Sequence, residues 1–436
     1  MAREMKDSGV VWIGEVPADW SMIRMKNCIK KRDGGAWGED AVGDDGDVIC
    51  LRIADFDYAR FRFKPTAPEQ LTKRHYSQDV IQKLNLSKND ILIEKSGGGE
   101  KTPVGRSVIF DKDYPALFAN FMDRLRCKEF VDPEFMQFIF ATFYKNDYSK
   151  NYIKQTTGIQ NLDLTSMLAN ELVAIPNLKE QKEIAANLNQ KCAEIDAVLE
   201  KTNTSIEEYK KLKKAIITQT VTRGIRGDRP MKESGIEWVP MIPADWSNYR
   251  GKHLFYETNE RSETGSEELL TVSHKTGVTP RSQKNVNMFM SESLVGYKIC
   301  RKGDIAANTM WMWQGAIGVS SYRGVISPSY NTYRQRKGAF DSQYLDYLLR
   351  VPPLVELYNV CSTGITASRL RLYPEQFLSI QFIVPPMEEQ QEIVRFLHSR
   401  VDEMDALIQK KEQFLAELET YKKSLIYNYV TGKKEV

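Results

Sequence analysis

The stretch that organises the chain reads PNLKEQKEIAANLNQKCAEIDAVLEKTNTSIEEYKKLKKAIITQTVT, from Pro176 to Thr222. After its first residue it contains neither glycine nor proline. Its apolar residues recur at heptad spacing: Leu188, Ile195, Tyr209 and Ile216 in one row, Cys192, Leu199 and Ile206 in a neighbouring row, joined by Val198 and Leu212. So narrow a seam predicts a long helix that pairs with another helix. About 40 residues at ~1.5 Å each would make a rod of roughly 60 Å.

A second stretch of the same kind begins 209 residues later, at Pro385 against Pro176, and ends at Thr431. It repeats the proline, a Glu-Gln pair and the Val-Thr ending without a gap. Its seam residues are Leu397, Met404, Leu418 and Leu425. Chance similarity between two coiled coils would preserve only the heptad, so an internal duplication explains the match better. We therefore predict an antiparallel coiled coil between two helices of one chain.

The segments that precede the globular regions are also repeated. Ser8–Lys26 and Ser234–Lys252 share a tryptophan, the sequence Pro-Ala-Asp-Trp and basic residues. The glycines, proline and charges of 223–235 predict a linker without regular structure. The predicted organisation is an N-terminal arm (1–20), a first globule (21–155), a first long-helix region (156–225), a linker with the second arm (226–246), a second globule (247–361) and a second long-helix region (362–436).

Both globules show short β-like runs in the same order, followed by a helix. In the first globule the runs fall at 47–56, 90–99, 106–110 and 121–128, with a helix at 132–145 that begins Asp-Pro-Glu. In the second they fall at 302–309, 316–322 and 325–337, with a helix at 339–350. A Thr-Gly-Ile motif closes each globule, at 157–159 and 363–365. We predict two similar α/β (α+β) domains separated by two long helices, as an internal pseudo-twofold repeat.

Net charge, apolar runs and the spacing of cysteines and histidines show which classes of protein the chain resembles least. The net charge of +3 argues neither for nor against nucleic acid, because local basic faces can exist on a neutral total. No apolar run of about 20 residues and no secretory signal are present, so we expect a cytoplasmic protein without a membrane span. The scattered cysteines and histidines form no metal-ligand spacing. Neither nuclease nor methyltransferase motifs occur, so we predict no catalytic and no metal-binding residues in this chain.

The glycine run Gly97–Gly99 leaves three interpretations open. A phosphate loop would need a Gly-Lys-Ser/Thr ending, which is lacking. A plain loop tip between strands is the simplest interpretation. The third is a loop whose bare backbone, with Lys95, Lys101 and Arg106, approaches nucleic acid.

Three further segments suggest binding. Tyr58–Lys64 alternates aromatic and basic residues, which fits either a phosphate-contacting strand or a solvated edge strand. Asn308–Gly315 contains two tryptophans beside Asn and Gln, which fits either a base-reading wedge or a core strand. Tyr330–Lys337 is either a reading surface or an ordinary strand with a charged end. The predicted DNA-binding residues are Arg60, Arg62, Lys64, Lys95, Lys101, Arg106, Asn308, Trp311, Trp313, Gln314, Asn331 and Arg334.

The duplicated plan resembles the specificity subunit of type I restriction–modification enzymes. The resemblance covers essentially the whole chain and is carried by the two Glu-Gln helix openings, the long helices, the Pro-Ala-Asp-Trp arms and the Thr-Gly-Ile motifs. It implies two target recognition domains that each read half of a split double-stranded DNA target. It also implies a coiled coil that spaces them and docks two methyltransferase subunits, which restriction subunits join.

The resemblance further implies that this chain binds no cofactor itself. S-adenosylmethionine, ATP and Mg²⁺ would be bound by the partner subunits, and DNA would be methylated at adenine or cleaved by them. Two other hypotheses remain at this point. One is a coiled-coil adaptor without nucleic acid, which predicts no salt-dependent DNA affinity. The other is a self-contained modification enzyme with unrecognised motifs, which predicts binding of S-adenosylmethionine by this chain alone.

Overall fold

The computed structural model describes residues 3–156, 158–284, 293–364 and 370–436. Thr157 of the first Thr-Gly-Ile motif and Ile365 of the second lie outside these residues. The chain divides into two compact units. Unit 1 comprises residues 1–204 and 412–436, and unit 2 comprises residues 205–411. Each long helix therefore contributes one part to each unit.

The first arm and globule contain four helices and a series of short strands within the described residues. The helices are α1 Met25–Cys28, α2 Gln78–Leu84, α3 Pro133–Lys145 and α4 Leu164–Asn170. The strands are β1 Met5–Asp7, β2 Glu15–Pro17, β3 Ser21–Arg24, β4 Ile29–Gly34, β5 Glu39–Asp40, β6 Asp47–Leu51, β7 Phe56–Asp57, β8 Arg62–Phe63, β9 Lys73–His75, β10 Ile91–Glu94, β11 Ser96–Gly97, β12 Ser107–Ile109, β13 Ala116–Phe118, β14 Met122–Cys127, β15 Ile153–Thr156, β16 Ile159–Leu162 and β17 Leu172–Ile175.

The first long helix is α5, Leu178–Arg223. The second arm and globule follow. Their strands are β18 Met231–Glu233, β19 Met241–Pro243, β20 Ser247–Arg250, β21 Phe255–Thr258, β22 Leu270–Ser273, β23 Gly277–Pro280, β24 Lys298–Cys300, β25 Ile305–Ala307, β26 Ile317–Val319, β27 Gly324–Ile326, β28 Asn331–Gln335 and β29 Gln381–Val384. Their helices are α6 Gly251–Leu254, α7 Ser342–Leu349, α8 Pro352–Cys361 and α9 Pro374–Ser379, and the second long helix is α10, Met387–Val430.

Each unit is built on a four-stranded antiparallel sheet of the same topology. The strand order is β12-β10-β14-β4 in unit 1 and β26-β25-β28-β21 in unit 2. Ile91 of β10 pairs with Ile109 and Leu125. Ile305 of β25 pairs in the same way with Val319 and Tyr333. The shared register identifies equivalent residues in the two sheets and confirms the predicted repeat of the globules.

Most predicted elements are present, and their ends follow local chemistry. Helix α3 begins after Asp132, whose carboxylate accepts the Phe135 N–H, and α7 begins after Asp341, which accepts the Tyr344 N–H. Such caps satisfy helix donors that would otherwise lack partners. The prediction that 223–235 lacks regular structure was wrong in part. Met231–Glu233 is strand β18, and it pairs antiparallel with β19.

The predicted heptad seam is confirmed in its main row. Leu188, Ile195, Leu397, Met404 and Leu425 are buried, whereas Leu199, Tyr209, Ile216 and Leu418 are partly buried. Val198 and Leu212, which we expected to join the seam, are 42% and 50% exposed. The reason is geometric, because one partner helix covers only one stripe of each helix surface.

One ion pair in each unit shows the antiparallel pairing of the helices. In unit 1, Lys422 donates to both carboxylate oxygens of Asp196 at 2.6 and 2.7 Å, and the pair is buried. In unit 2, Lys213 donates to Asp405 at 2.5 Å, and the pair is half-exposed. Both pairs use residues that the 209-residue repeat makes equivalent. In unit 1 the Lys422 ammonium also donates to the Ala59 carbonyl, because the β7–β8 hairpin covers the pair.

The Glu-Gln pair at the start of each long helix joins arm, globule and helix. Glu180 accepts hydrogen bonds from Trp20 Nε1 and from Arg3 of the first arm. Glu389 likewise accepts from Trp246 Nε1, at 2.9 Å, and from Arg229. These bonds explain why each arm carries a buried tryptophan and why each helix opens with a glutamate.

The neighbouring glutamine secures the globule. Gln181 accepts the N–H of Asp132, the residue that caps α3, and donates to the Phe130 and Pro176 carbonyls. Gln390 makes the same three bonds, with the N–H of Asp341 and the Ala339 and Pro385 carbonyls. Both glutamine side chains are fully buried, so their bonds are shielded from water.

Among the described residues, no helix is both long enough and apolar enough to cross a membrane.

Asp196→Ala tests the buried ion pair of unit 1. It leaves the Lys422 ammonium buried without its carboxylate, so we expect a local loss of about 3–5 kcal/mol. The matched control is Asp405→Ala, whose exposed pair should contribute less than ~1 kcal/mol. Amide hydrogen exchange of the full chain, compared over 188–199 and 209–216, measures each loss in its own unit. Equal losses for the two substitutions would contradict the expectation that the buried Asp196–Lys422 pair stabilises its unit more than the exposed pair does.

Candidate nucleic-acid interface

Two loops leave the central sheets at equivalent places and carry several of the predicted DNA-binding residues. Loop 1 (residues 95–105) connects β10 to β12, and loop 2 (residues 309–315) connects β25 to β26. The same backbone hydrogen bond closes both. It runs from the Glu94 N–H to the Arg106 carbonyl at 2.8 Å, and from the Asn308 N–H to the Ala316 carbonyl at 2.9 Å. The two loops thus differ in length and sequence, but they start and end at equivalent positions of the two sheets.

Loop 1 is a glycine-dependent hairpin. Gly97 and Gly98 have φ values of 125° and 32°, and a Cβ on Gly98 would lie 2.7 Å from the Val104 nitrogen. Gly99 and Thr102 pair across a turn whose apex carries Glu100 and Lys101, both exposed. The glycine run leads into a turn and a strand rather than a helix, so the phosphate-loop interpretation was wrong. The hairpin fits both the plain loop tip and the loop that approaches nucleic acid, and the latter stays a prediction.

The β15–β16 hairpin braces loop 1. Strand β11 pairs with β16, and the Ser96 hydroxyl donates to Asn161 Oδ1 at 2.7 Å. Gly158, in the first Thr-Gly-Ile motif, has a φ of 87°. Ile159 begins β16 and is 52% exposed. The described part of the motif therefore leads into the strand that pairs with loop 1.

The base of loop 1 holds cations on buried carboxylates. Lys95 and Arg32 donate to the two oxygens of Asp123, each at 2.6 Å. Arg106 donates to both oxygens of Glu94 at 2.8 and 3.0 Å, and its guanidinium lies 3.9 Å from the centroid of the Tyr58 ring. Burial opposes the charge on Arg106, but the bonds to Glu94 outweigh it, so the pKa of Arg106 is raised. These charges are fixed in place.

The Tyr58–Lys64 segment is not a strand, so that prediction was wrong. Strands β7 and β8 are two residues each, and the turn between them places Phe61 at a φ of 57°. The aromatic rings of Phe61 and Phe63 are buried, as expected for an inner face. Because these rings draw the segment into a tight hairpin against the core, strand alternation is lost.

The three predicted cations of this hairpin contact acceptors of the chain itself. Arg60 pairs with Asp57 and Glu200. Arg62 pairs with Glu134 at 2.5 Å, and Lys64 donates to the Ala54 carbonyl at 2.6 Å. A role of Arg60, Arg62 and Lys64 in DNA binding stays a prediction.

Loop 2 presents a stacked pair of tryptophans. Trp311 is 49% exposed, and its ring stacks on that of Trp313 with centroids 6.2 Å apart and planes at 19°. Trp313 Nε1 donates to the Met310 carbonyl, and Met312 between them is buried. Gly315 ends the turn at a φ of 85°. The alternative of a core strand was therefore wrong, and Gln314 is exposed beside the pair.

Asn308 and Asn331 lie beneath loop 2 and are buried. Asn308 donates to the Tyr330 hydroxyl at 2.8 Å and accepts the Met310 N–H. Asn331 accepts from the Lys298 ammonium at 3.3 Å. Burial lowers the pKa of Lys298, and the nearby Glu257 carboxylate offsets part of that effect. Both amides brace the frame of loop 2 from below.

Arg334 belongs to a clamp that occurs in both units. It donates to both oxygens of buried Asp304 at 2.8 and 2.9 Å. Arg126 donates to Asp90 in the same way at 2.7 and 3.0 Å. Because the clamp is common to both sheets, it is part of the shared frame, and a base-reading role for Arg334 has no support from its contacts.

Trp37 is a candidate that the sequence reasoning missed. It is 40% exposed and, with Trp311, is one of the two exposed tryptophans among the described residues. The Arg74 guanidinium lies 4.8 Å from its ring centroid. The signal in the sequence was Gly34-Gly35-Ala36-Trp37-Gly38, an aromatic residue among glycines.

Among the described residues, Asp44, Asp47 and His75 are the group with the side chains and spacing to hold a metal ion. His75 Nδ1 lies 3.1 and 3.3 Å from the two carboxylates. Asp47 also accepts the Val42 and Gly43 N–H groups, and the bond from Gly43 is the main cause of its lowered pKa. Hydrogen bonds within the loop account for this arrangement.

Arg334→Gln distinguishes the clamp from a base contact. It leaves the buried Asp304 carboxylate without a cation, with the Arg301 N–H still donating to it, so we expect a loss of about 3–5 kcal/mol in the stability of unit 2. Lys337→Gln, an exposed neighbour, is the control and should change stability by less than ~0.5 kcal/mol. Thermal unfolding measures both. Loss of DNA affinity at unchanged stability would instead support base reading by Arg334.

Comparison with known proteins places the chain in a family. The type I restriction modification DNA specificity domain matches residues 17–208 and 279–417. The putative type I restriction enzyme MjaX specificity subunit of Methanocaldococcus jannaschii is 23% identical over 439 residues, covering 97% of this chain and 96% of that protein. The MjaVIII specificity subunit of the same organism is 27% identical over 220 residues, covering 49% of this chain and 48% of that protein.

Solved structures share the fold. A chain from a study of complex assembly and conformational transition of the type I R-M system gives a TM-score of 0.70 at 15% identity, covering 96% of this chain and 99% of that chain. The HsdS subunit of Thermoanaerobacter tengcongensis gives a TM-score of 0.52 at 14% identity, covering 96% of this chain and 98% of that chain. Since the family domain matches more than half of its residues, the chain belongs to the type I restriction–modification specificity subunits, which recognise the DNA target and are not the catalytic subunits.

Proposed function

We propose that each unit reads one half of a bipartite, asymmetric double-stranded DNA target. The observation that carries this proposal is the pair of equivalent frames with different loops. Both sheets share strand order, register, the Arg-Asp clamp and the bond that closes the loop. The loops themselves share neither length nor chemistry. A constant frame with divergent loops suits two readers of different sequences.

The residues that we propose to contact DNA are exposed or partly exposed side chains on or beside the loops. In unit 1 they are Lys101 at the hairpin apex, with Lys95 and Arg106 at its base. In unit 2 they are Trp311, Trp313 and Gln314. Cations contact phosphates without regard to sequence, whereas amides and aromatic rings contact bases.

Partner subunits supply the chemistry in this proposal. Two methyltransferase subunits bind the helix pairs, and restriction subunits join them. S-adenosylmethionine, ATP and Mg²⁺ are bound by these partners, which methylate adenine or cleave DNA in the cytoplasm. Exposed apolar residues on the long helices support the docking. They are Val198, Phe414 and Tyr421 in unit 1 and Leu212 and Leu407 in unit 2, each more than a third exposed.

Loop exchange tests the reading of half-sites. Replacing residues 95–105 by the sequence of 309–315 keeps the bond that closes the loop, so we expect the first half-site to change and the second to persist. The reverse exchange is the matched control and should change only the second half-site. Methylome sequencing of cells that express each chain with its cognate subunits measures both. A change in both half-sites, or in neither, would refute modular reading.

Phe414→Ser tests the docking of methyltransferase subunits. Because Phe414 is 45% exposed, its loss should leave the fold intact and remove apolar area from the interface. We expect about 10-fold weaker binding of the cognate methyltransferase subunit, the loss expected of one buried aromatic anchor. The control is Gln413→Ser, an exposed neighbour. Titration calorimetry measures both, and unchanged binding by the Phe414 variant would place the docking surface elsewhere.

A further inference from the structure

The shared register shows that the two frames carry different chemistry where the loops leave the sheet. Ile93 pairs with Asp123 in unit 1, and Ala307 pairs with Asn331 in unit 2. Asp123 and Asn331 are therefore equivalent. The next residues along β10 and β25, Glu94 and Asn308, are equivalent as well. Two carboxylates in unit 1 thus correspond to two amides in unit 2.

In unit 1 the two carboxylates are buried beneath three cations. Glu94 and Asp123 are 1% and 2% exposed. The side chains that they hold reach the surface, with exposures of 31% for Lys95, 33% for Arg32 and 17% for Arg106. The carboxylates therefore fix the positions of the cations, while solvent meets mainly the positive groups.

The apex of loop 1 adds a matched pair of exposed charges. Lys101 extends the cationic surface, and Glu100 beside it opposes an approaching phosphate. A loop whose glycines bear no side chain lets a phosphate backbone approach closely. This end of the sheet therefore suits electrostatic contact.

In unit 2 the corresponding end has an aromatic surface instead of a cationic one. Residues 309–315, Thr-Met-Trp-Met-Trp-Gln-Gly, contain no charged side chain. The position of Arg106 is taken by Ala316, and the cation beneath the loop, Lys298, is 6% exposed. Exposed Gln314 and the Trp311–Trp313 stack reach solvent, and the bond from Trp313 Nε1 to the Met310 carbonyl holds the stack.

We infer that the two units hold DNA by different physical means. Unit 1 binds its half-site through phosphate contacts of cations that Glu94 and Asp123 position. Unit 2 binds its half-site through apolar contact of the tryptophan stack with a base step. The inference rests on the proposed function and deepens it.

Phosphate contacts release counterions, so each steepens the slope of log affinity against log salt by ~0.9. Aromatic contact at a base step has no such salt term.

The test uses the full chain and duplexes that carry the target found by methylome sequencing. One duplex keeps only the first half-site and the other only the second, the remaining half being scrambled. We expect the salt slope to be steeper for the first half-site by about 3, the value for phosphate contacts of the three cations that Glu94 and Asp123 position. Equal slopes, or a steeper slope for the second half-site, would overturn the inference. Absence of any bipartite target would overturn the proposed function itself.

Substitutions of exposed residues test the inference without disturbing the packed core of either unit. Lys101→Ala should lower the slope for the first half-site by ~1 and leave the second unchanged. Glu100→Gln should raise affinity for the first half-site. Trp311→Ala should weaken the second half-site by about 5- to 150-fold at an unchanged slope, the range for one aromatic contact. A change in affinity for the other half-site, caused by any of these substitutions, would contradict the inference that each unit contacts only its own half-site.

Matched controls come from the same units. Lys30 is exposed and pairs with Glu129 at the opposite end of β4, so Lys30→Ala should leave both slopes unchanged. Tyr373 is 54% exposed in unit 2, and Tyr373→Ala should leave the affinity for the second half-site unchanged.

Asp123→Asn tests the positioning role, since Asn is the residue that unit 2 has at this place. Lys95 and Arg32 keep their charges but lose the shared carboxylate, because the asparagine amide offers one acceptor oxygen and no negative charge. We expect the slope for the first half-site to persist while discrimination against mismatched first half-sites falls at least several-fold. A merely structural role would instead weaken both half-sites together with thermal stability, and that outcome would overturn the role of Asp123.

Discussion

The Glu-Gln pair that opens each long helix is the constraint on which the structure of each unit depends. The glutamate binds the tryptophan and arginine of the arm, and the glutamine binds the residue that caps the globule's helix. Three parts of the chain that are far apart in sequence meet at two adjacent side chains. Gln181, Glu389 and Gln390 are buried and Glu180 is partly buried, so a lost bond at the buried side chains would leave a polar atom without water, which makes the arrangement strict.

That strictness explains why the frame was retained after duplication while the loops diverged. The sheets keep their register, the bonds that close the loops, and the Arg-Asp clamps on buried aspartates. Loops 1 and 2 begin and end at these fixed points and project from them. A change within a loop therefore does not disturb the core, so recognition could vary without cost to folding.

The sequence predicted the frame better than the surface. Heptad spacing and the 209-residue repeat were enough for the long helices and their pairing, because periodicity reflects which faces are buried. The prediction for Tyr58–Lys64 was wrong because the alternation of residue types matched a strand, whereas burial of Phe61 required a turn. The prediction that Val198 and Leu212 join the seam was wrong, because an apolar residue beside the contact stripe of a helix need not face the partner helix.

For the candidate site, the sequence selected segments but could not show the partners of their side chains. Lys101, Trp311 and Gln314 are exposed as recognition requires, whereas Arg62, Arg106 and Arg334 are held by carboxylates from other elements. Trp37 and Arg32 were not considered at all.

The sequence by itself determined the duplication, the helices and the family, since these depend on spacing along the chain. Only the tertiary structure decided which charges are free and which are paired, because a cation's partner is chosen by distance in space and by burial. It also decided that Glu94 and Asp123 correspond to Asn308 and Asn331, because that equivalence follows from strand register and not from sequence similarity.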